Sequence, residues 1–97
     1  MPQEQAKPHW SVYLLRCADQ SLYCGVTTDL ERRLAEHNGL RKGGARYTKS
    51  RRPVSLALHL DDLSQGEALK IEAHIKRLKK DQKLSTLEAL KKSLPKT

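Results

Sequence analysis

Apolar positions in this chain fall into blocks of different period, and each period points to an element. Trp10 to Cys17 carries Val12, Tyr13, Leu14 and Leu15 in an unbroken run, the pattern of a strand buried on both faces. A second strand follows over Ser21 to Val26, after a turn at Ala18-Asp19-Gln20. Side chains alternate across a strand, so the length of that turn decides which residues share a face. A three-residue loop pairs positions whose numbers sum to an even value and puts Tyr13 and Tyr23 on one face; a two-residue loop separates them. The three-residue loop is the expectation. Gly25 then lies beside the same face, where a missing side chain admits a ligand or another backbone.

The helical blocks carry their own start signals. Thr28-x-x-Glu31 reads as a capping box, and Asp29 adds negative charge to the first turn. Leu30 and Leu34 face the core, while Arg33 and His37, also one turn apart, emerge together on a neighbouring edge. Asn38-Gly39 ends this helix. Residues 41–52 read as a mobile loop bearing Arg41, Lys42, Arg46, Lys49, Arg51 and Arg52, with no acid and Tyr47 as the one aromatic. After Pro53, Val54, Leu56, Leu58 and Leu60 alternate as a third strand with one apolar face.

Ser64-x-x-Glu67 opens a helix expected to run to about Lys80 on a stripe of Ala68, Ile71, Ile75 and Leu78. Glu72 sits at the edge of that stripe. Ser85-x-x-Glu88 opens a last helix through Leu87, Leu90 and Leu94. The order β-β-α-β-α-α gives an α/β fold, a small α/β sandwich in which three helices flank a three-stranded antiparallel sheet. Residues 1–9 read as a flexible lead-in, 10–94 as the domain and 95–97 as a frayed tail.

Composition narrows the function. Nineteen Lys and Arg against eleven Asp and Glu leave a net charge of +8, the electrostatic footprint of a nucleic-acid binder. With no Phe and one Trp, stacking platforms are few, which argues against a single-strand binder of the stacking type. No apolar run reaches membrane-spanning length, and Met1 to Pro8 lacks the apolar core of an export signal, so a cytoplasmic protein is expected. Cys17 and Cys24 are expected to stay free thiols.

These residues resemble the GIY-YIG endonucleases. Val12-Tyr13-Leu14 and Tyr23-Cys24-Gly25 stand for the two tripeptides, Arg33 and His37 follow on the next helix, and Glu67 to Lys76 matches the family's E-A-L-x-x-E-x-x-I-K pattern. The resemblance covers roughly Trp10 to Lys83 and is closest to small stand-alone bacterial domains related to structure-specific nucleases of the Slx1 type. It implies metal-dependent cleavage of DNA. Glu72 would hold a single divalent ion, Mg2+ or Mn2+, that stabilises the leaving 3′ oxygen. Tyr13 would act as base on the attacking water, its phenolate favoured by nearby cations, with His37 as the rival for that role. Arg33 would grip the scissile phosphate, and Tyr23, His37 and Tyr47 would position water and phosphate.

The chain departs from the family in lacking the first tripeptide's usual glycine, in having Cys24 for a branched aliphatic, and in having no asparagine after Asn38. The expected partner is DNA, duplex or branched, bound by a monomer with low sequence specificity in repair or recombination. The six cations of 41–52 would contact phosphate. The alternative is a non-catalytic nucleic-acid-binding module or an adaptor for a repair nuclease. In isolation Tyr13 and Tyr23 are ordinary strand residues, and Glu72 a helix residue pairing with Lys76.

Overall fold

A computed structural model describes residues 9–93 of the chain. The expected lead-in, apart from His9, and the expected tail lie outside the described residues. The strands are β1 (Trp10–Arg16), β2 (Leu22–Thr27) and β3 (Ser55–Leu63), in the order β2-β1-β3 and antiparallel throughout. As the central strand, β1 is buried on both faces, which explains its unbroken apolar run.

The hairpin between β1 and β2 has the expected loop. Cys17 N–H donates to Ser21 O at 2.9 Å, leaving Ala18, Asp19 and Gln20 in the turn, with Gln20 left-handed at φ 72°. Asp19 Oδ1 accepts the Ser21 amide at 3.0 Å. The pairs Tyr13↔Gly25 and Leu15↔Tyr23 follow, so the two tyrosines share a face. A Cβ on Gly25 would come within 2.6 Å of Tyr13 Cζ; the glycine is there because the Tyr13 ring lies across it.

The third strand corrects the one-face reading. Leu14 pairs with Leu58 but Leu15 with Leu56, so Ala57 is an extra residue in a bulge. Val54 and Leu56 therefore pack with Tyr13, Leu15 and Cys17 on the first face. Leu58, Leu60 and Leu63 pack with Val12 and Leu14 on the second. A second irregularity sets Ser11 opposite Asp61 and Asp62, with Ser11 Oγ donating to Asp61 Oδ1 at 2.7 Å.

Helix α1 (Leu30–His37) covers the first face through Leu30 and Leu34. Its cap is Asp29, one residue later than the capping box at Thr28 would place it: the Asp29 carboxylate accepts from Arg32 N–H at 3.0 Å. Residues 46–49, expected in a mobile loop, form the short helix α2 (Arg46–Lys49) around the buried Thr48. The second face is covered by α3 (Gln65–Lys76) and α4 (Lys80–Ser93), with Ala68, Ile75 and Leu87 in the core. The Ser64–Glu67 capping box forms with both of its bonds. The apolar stripe misleads at the far end, because α3 stops at Lys76 rather than Lys80. Lys83 Nζ reaches back from α4 to Ile75 O at 2.9 Å and caps the break. Ser85 is interior to α4, its hydroxyl donating back to Gln82 O at 3.2 Å instead of capping. The order is thus β-β-α-α-β-α-α, the expected α/β sandwich plus α2. Both cysteines are free, and among the described residues no helix is long and apolar enough to cross a membrane.

Candidate active site

The sheet face covered by α1 brings together residues from four elements. From β1, Tyr13 is 2 % exposed, and its hydroxyl lies 2.9 Å from His37 Nε2 on α1. His37 is wholly buried, and its Nδ1 lies 2.8 Å from Thr48 Oγ1 on α2. Thr48 in turn donates to Ala45 O at 3.0 Å. That last bond fixes the others. With its proton spent on a carbonyl, the Thr48 oxygen accepts from His37 Nδ1–H, so Nε2 is bare and accepts from Tyr13. A single directed chain runs from Tyr13 through His37 and Thr48 to the backbone.

The electrostatics agree with a neutral resting pair. Burial pushes the Tyr13 phenol up to about 12, outweighing Arg33, whose hydrogen bond and charge act the other way. The expectation that neighbouring cations hold Tyr13 as a phenolate is therefore not met. Burial, helped by the Arg33 charge, pushes His37 down to about 4. Arg33 is half-buried and donates to Glu36 Oε1 at 2.7 Å, which holds the Glu36 carboxyl below its usual range.

Tyr23 forms the next layer outward. Its ring centroid lies 5.1 Å from that of His37 and 5.6 Å from that of Tyr47. Glu72 comes from α3, which covers the other face of the sheet, and its charge is felt by Cys24 on the edge strand β2. The Glu72 side chain is 19 % exposed and its carboxylate pairs with Lys76 at 3.2 Å, and Lys76 Nζ lies 5.8 Å from the Tyr23 ring centre. Glu72 also raises the pKa of Cys24, after the larger effect of burial. The ordinary i,i+4 pairing with Lys76 is thus present, at the rim of the cluster. Among the described residues no three His, Cys, Asp or Glu side chains gather as a metal cage. One half-buried carboxylate fits a hard ion that keeps most of its water, as Mg2+ does.

The six cations of 41–52 divide. Arg41, Lys42, Arg46 and Lys49 are exposed. Arg51 bonds Asp19 Oδ2 at 3.0 Å and lies 4.0 Å from the Tyr47 ring centre, while Arg52 Nε donates to His37 O at 2.7 Å. These two brace the loop. Asn38 braces it too, exchanging both amide bonds with the Val54 backbone at 2.9 and 2.7 Å.

Thr48 is the residue that sequence reasoning missed. A lone threonine in a basic stretch carries no pattern; only its following cations stood out. Replacing it with valine keeps the shape but leaves His37 Nδ1–H without a buried acceptor, an expected loss of about 1–3 kcal/mol in urea unfolding. Nitrogen NMR should show the His37 proton redistributing between the ring nitrogens, and serine should restore both. An unchanged tautomer in Thr48→Val would remove Thr48 from the chain.

Comparison with known proteins bears on this arrangement. Residues 9–85 match the model of the GIY-YIG catalytic domain. A UPF0213 protein of Nitratidesulfovibrio vulgaris is 50% identical over 90 residues, covering 93% of this chain and 80% of that protein. Another from Desulfotalea psychrophila is 45% identical over 89 residues, covering 92% and 80%. Among solved structures, a protein of E. faecalis superposes with a TM-score of 0.61 at 36% identity over 98% of both chains. A UPF0213 protein of Bacillus halodurans gives 0.51 at 35% identity over 82% of this chain and 83% of the other. The chain therefore belongs to the GIY-YIG family, with small bacterial UPF0213 proteins among its relatives.

Proposed function

We propose that residues 10–94 act as a DNA endonuclease, hydrolysing phosphodiester bonds with low sequence specificity. It works as a cytoplasmic monomer in repair or recombination, with one divalent ion, Mg2+ or Mn2+, at Glu72. The observation that carries this reading is the directed Tyr13–His37–Thr48 chain with Arg33 beside it. Such a chain serves proton transfer without a free phenolate. The Tyr13 oxygen takes a proton from the attacking water while its own proton passes to His37 Nε2, and Thr48 holds Nδ1–H in place. Tyr13 and His37 then share the base role that the sequence divides between them.

Arg33 has five N–H donors; Glu36 engages one nitrogen and Tyr13 accepts a further bond, and the donors left over can grip the scissile phosphate. Tyr23 and Tyr47, stacked outside His37, direct their hydroxyls to phosphate and water. Glu72 would hold the ion, which would offset the charge developing on the leaving 3′ oxygen. Arg41, Lys42, Arg46 and Lys49 contact flanking phosphates, and binding should weaken steeply with salt.

Arg51 and Arg52 contribute charge from their braced positions.

A second reading is a silent binding module or an adaptor that docks a repair nuclease. The Glu72–Lys76 pair and the burial of Tyr13 favour it. Nicking of supercoiled plasmid and cleavage of labelled duplex, branched and single-stranded DNA in Mg2+ or Mn2+ decides. The nuclease reading expects metal-dependent cuts that slow by about 10²-fold in Tyr13→Phe. Equal trace activity in both proteins hands the function to the second reading.

A further inference from the structure

The loop after α1 carries a leucine for which the fold has no use. The helix ends with Gly39 left-handed at φ +81°, Gly39 N–H donating to Glu36 O at 3.1 Å and Leu40 N–H to Ala35 O at 2.9 Å. These two bonds define a Schellman cap, in which the residue at the Leu40 position ordinarily lays its side chain back on the last helical turn. Leu40 is instead 80 % exposed. Its backbone is pinned and its side chain faces water.

Leu40 shares an open concavity of about 460 Å³ with Arg41, Lys42, Lys49 and Arg52. All of its charged walls are cationic, and Leu40 is its apolar wall. The concavity is also tied to the cluster behind it. Arg52 bonds the carbonyl of His37, and a Cβ on Gly44 would meet Glu36 O at 2.6 Å, so the loop lies directly against the end of α1.

A purely ionic ligand has no need of a leucine, and an apolar ligand has no need of four cations. A nucleotide presents both surfaces, a phosphate and a base face. In a perfect duplex that face is stacked and out of reach, whereas an unpaired base leaves the stack at small cost. Leucine is among the apolar residues used as wedges against base steps. We infer that this concavity receives one unpaired nucleotide of bound DNA, its phosphates on the cations and its base against Leu40. The chain then prefers DNA carrying an unpaired base to perfect duplex. This rests on the nucleic-acid reading above and adds to it the feature that selects the substrate.

The test is binding of the full chain, in EDTA so that nothing is cut, to a fluorescein-labelled duplex and to the same duplex with a bulged 2-aminopurine. The bulged duplex should bind on the order of tenfold more tightly, and 2-aminopurine emission should rise as the base leaves the stack. Leu40→Ser should bring the two affinities together and abolish the rise; Leu40→Met should keep both. Removing an exposed side chain leaves the core untouched, so Leu40→Ser remains folded. Equal wild-type affinities, or a preference that survives Leu40→Ser, would overturn the inference. Nicking assays run in parallel separate the two readings. A wild type that nicks without preferring the bulge loses only the cradle, and one that neither binds nor cuts loses the nuclease reading as well.

Discussion

Glu72→Gln should bind DNA at least as tightly as the wild type and cut it about 10²–10³-fold more slowly, since the change removes the carboxylate that would hold the cation offsetting the developing oxyanion. The substitution keeps the side chain's size on α3, and the carboxylate is not part of the core. What it removes is the anionic oxygen that a hard divalent ion requires. In the wild type the Glu72 side chain is 19 % exposed and its carboxylate is balanced by Lys76 at 3.2 Å. An entering cation must therefore compete with an ammonium group already in place. Dependence of the rate on Mg2+ is expected to be shallow at low concentration, and to steepen in Lys76→Met, where the competitor is gone. The measurement is nicking rate against Mg2+ for the three proteins, with binding followed separately in EDTA. A Glu72→Gln rate within twofold of wild type would place the ion elsewhere and remove Glu72 from the mechanism.

The second large effect is on stability in acid, and it arises at His37. The folded protein holds this imidazole at about 4, below its ordinary 6.5, because protonation would place a charge in a buried position beside Arg33. In the unfolded chain it takes up a proton near 6.5. Between these two values the unfolded state binds more protons, so stability rises with pH across that window. The contribution is full above about 6.5 and is lost as pH falls towards 4. The shift corresponds to an upper bound of about 3–4 kcal/mol. Urea midpoints taken at intervals from pH 7 to pH 4 should therefore fall. His37→Gln, though less stable at pH 7, should show a flatter profile over the same range. Parallel profiles would mean that the acid loss comes from other groups.

Much of this site was readable before any coordinates, for a physical reason in each case. The parity of strand pairing ties the facing of the two tyrosines to loop length, and the expected three-residue loop puts Tyr13 and Tyr23 on one face. Arg33 and His37 share a helix edge because they stand one turn apart. What stayed hidden depends on contacts between residues distant in sequence. The brace from Arg52 to His37 O and that from Arg51 to Asp19 tie two of the loop's cations to the fold through their Nε atoms. The hydroxyl of Thr48 matters only once α2 has folded against His37. The break between α3 and α4 was masked because Leu78 continues the apolar stripe through it, while the Lys83 cap comes from another helix. At α1 the capping box read at Thr28 lies one residue early, because the bond to Arg32 N–H belongs to Asp29.

The bulge in β3 governs where this domain can change length. Ala57 is one of the two residues by which β3 exceeds β1, the other lying at Asp61–Asp62, and the leucines on either side of Ala57 already point to opposite faces. Deleting Ala57 leaves a regular strand in which Leu56 and Leu58 keep their faces. Deleting Leu14 from β1 has the opposite result: it turns one half of the central strand over and carries Tyr13 or Leu15 out of its own layer. Insertions and deletions among related chains should therefore gather at Ala57 and avoid β1, so that the least constrained position in the sheet lies one strand away from the most constrained.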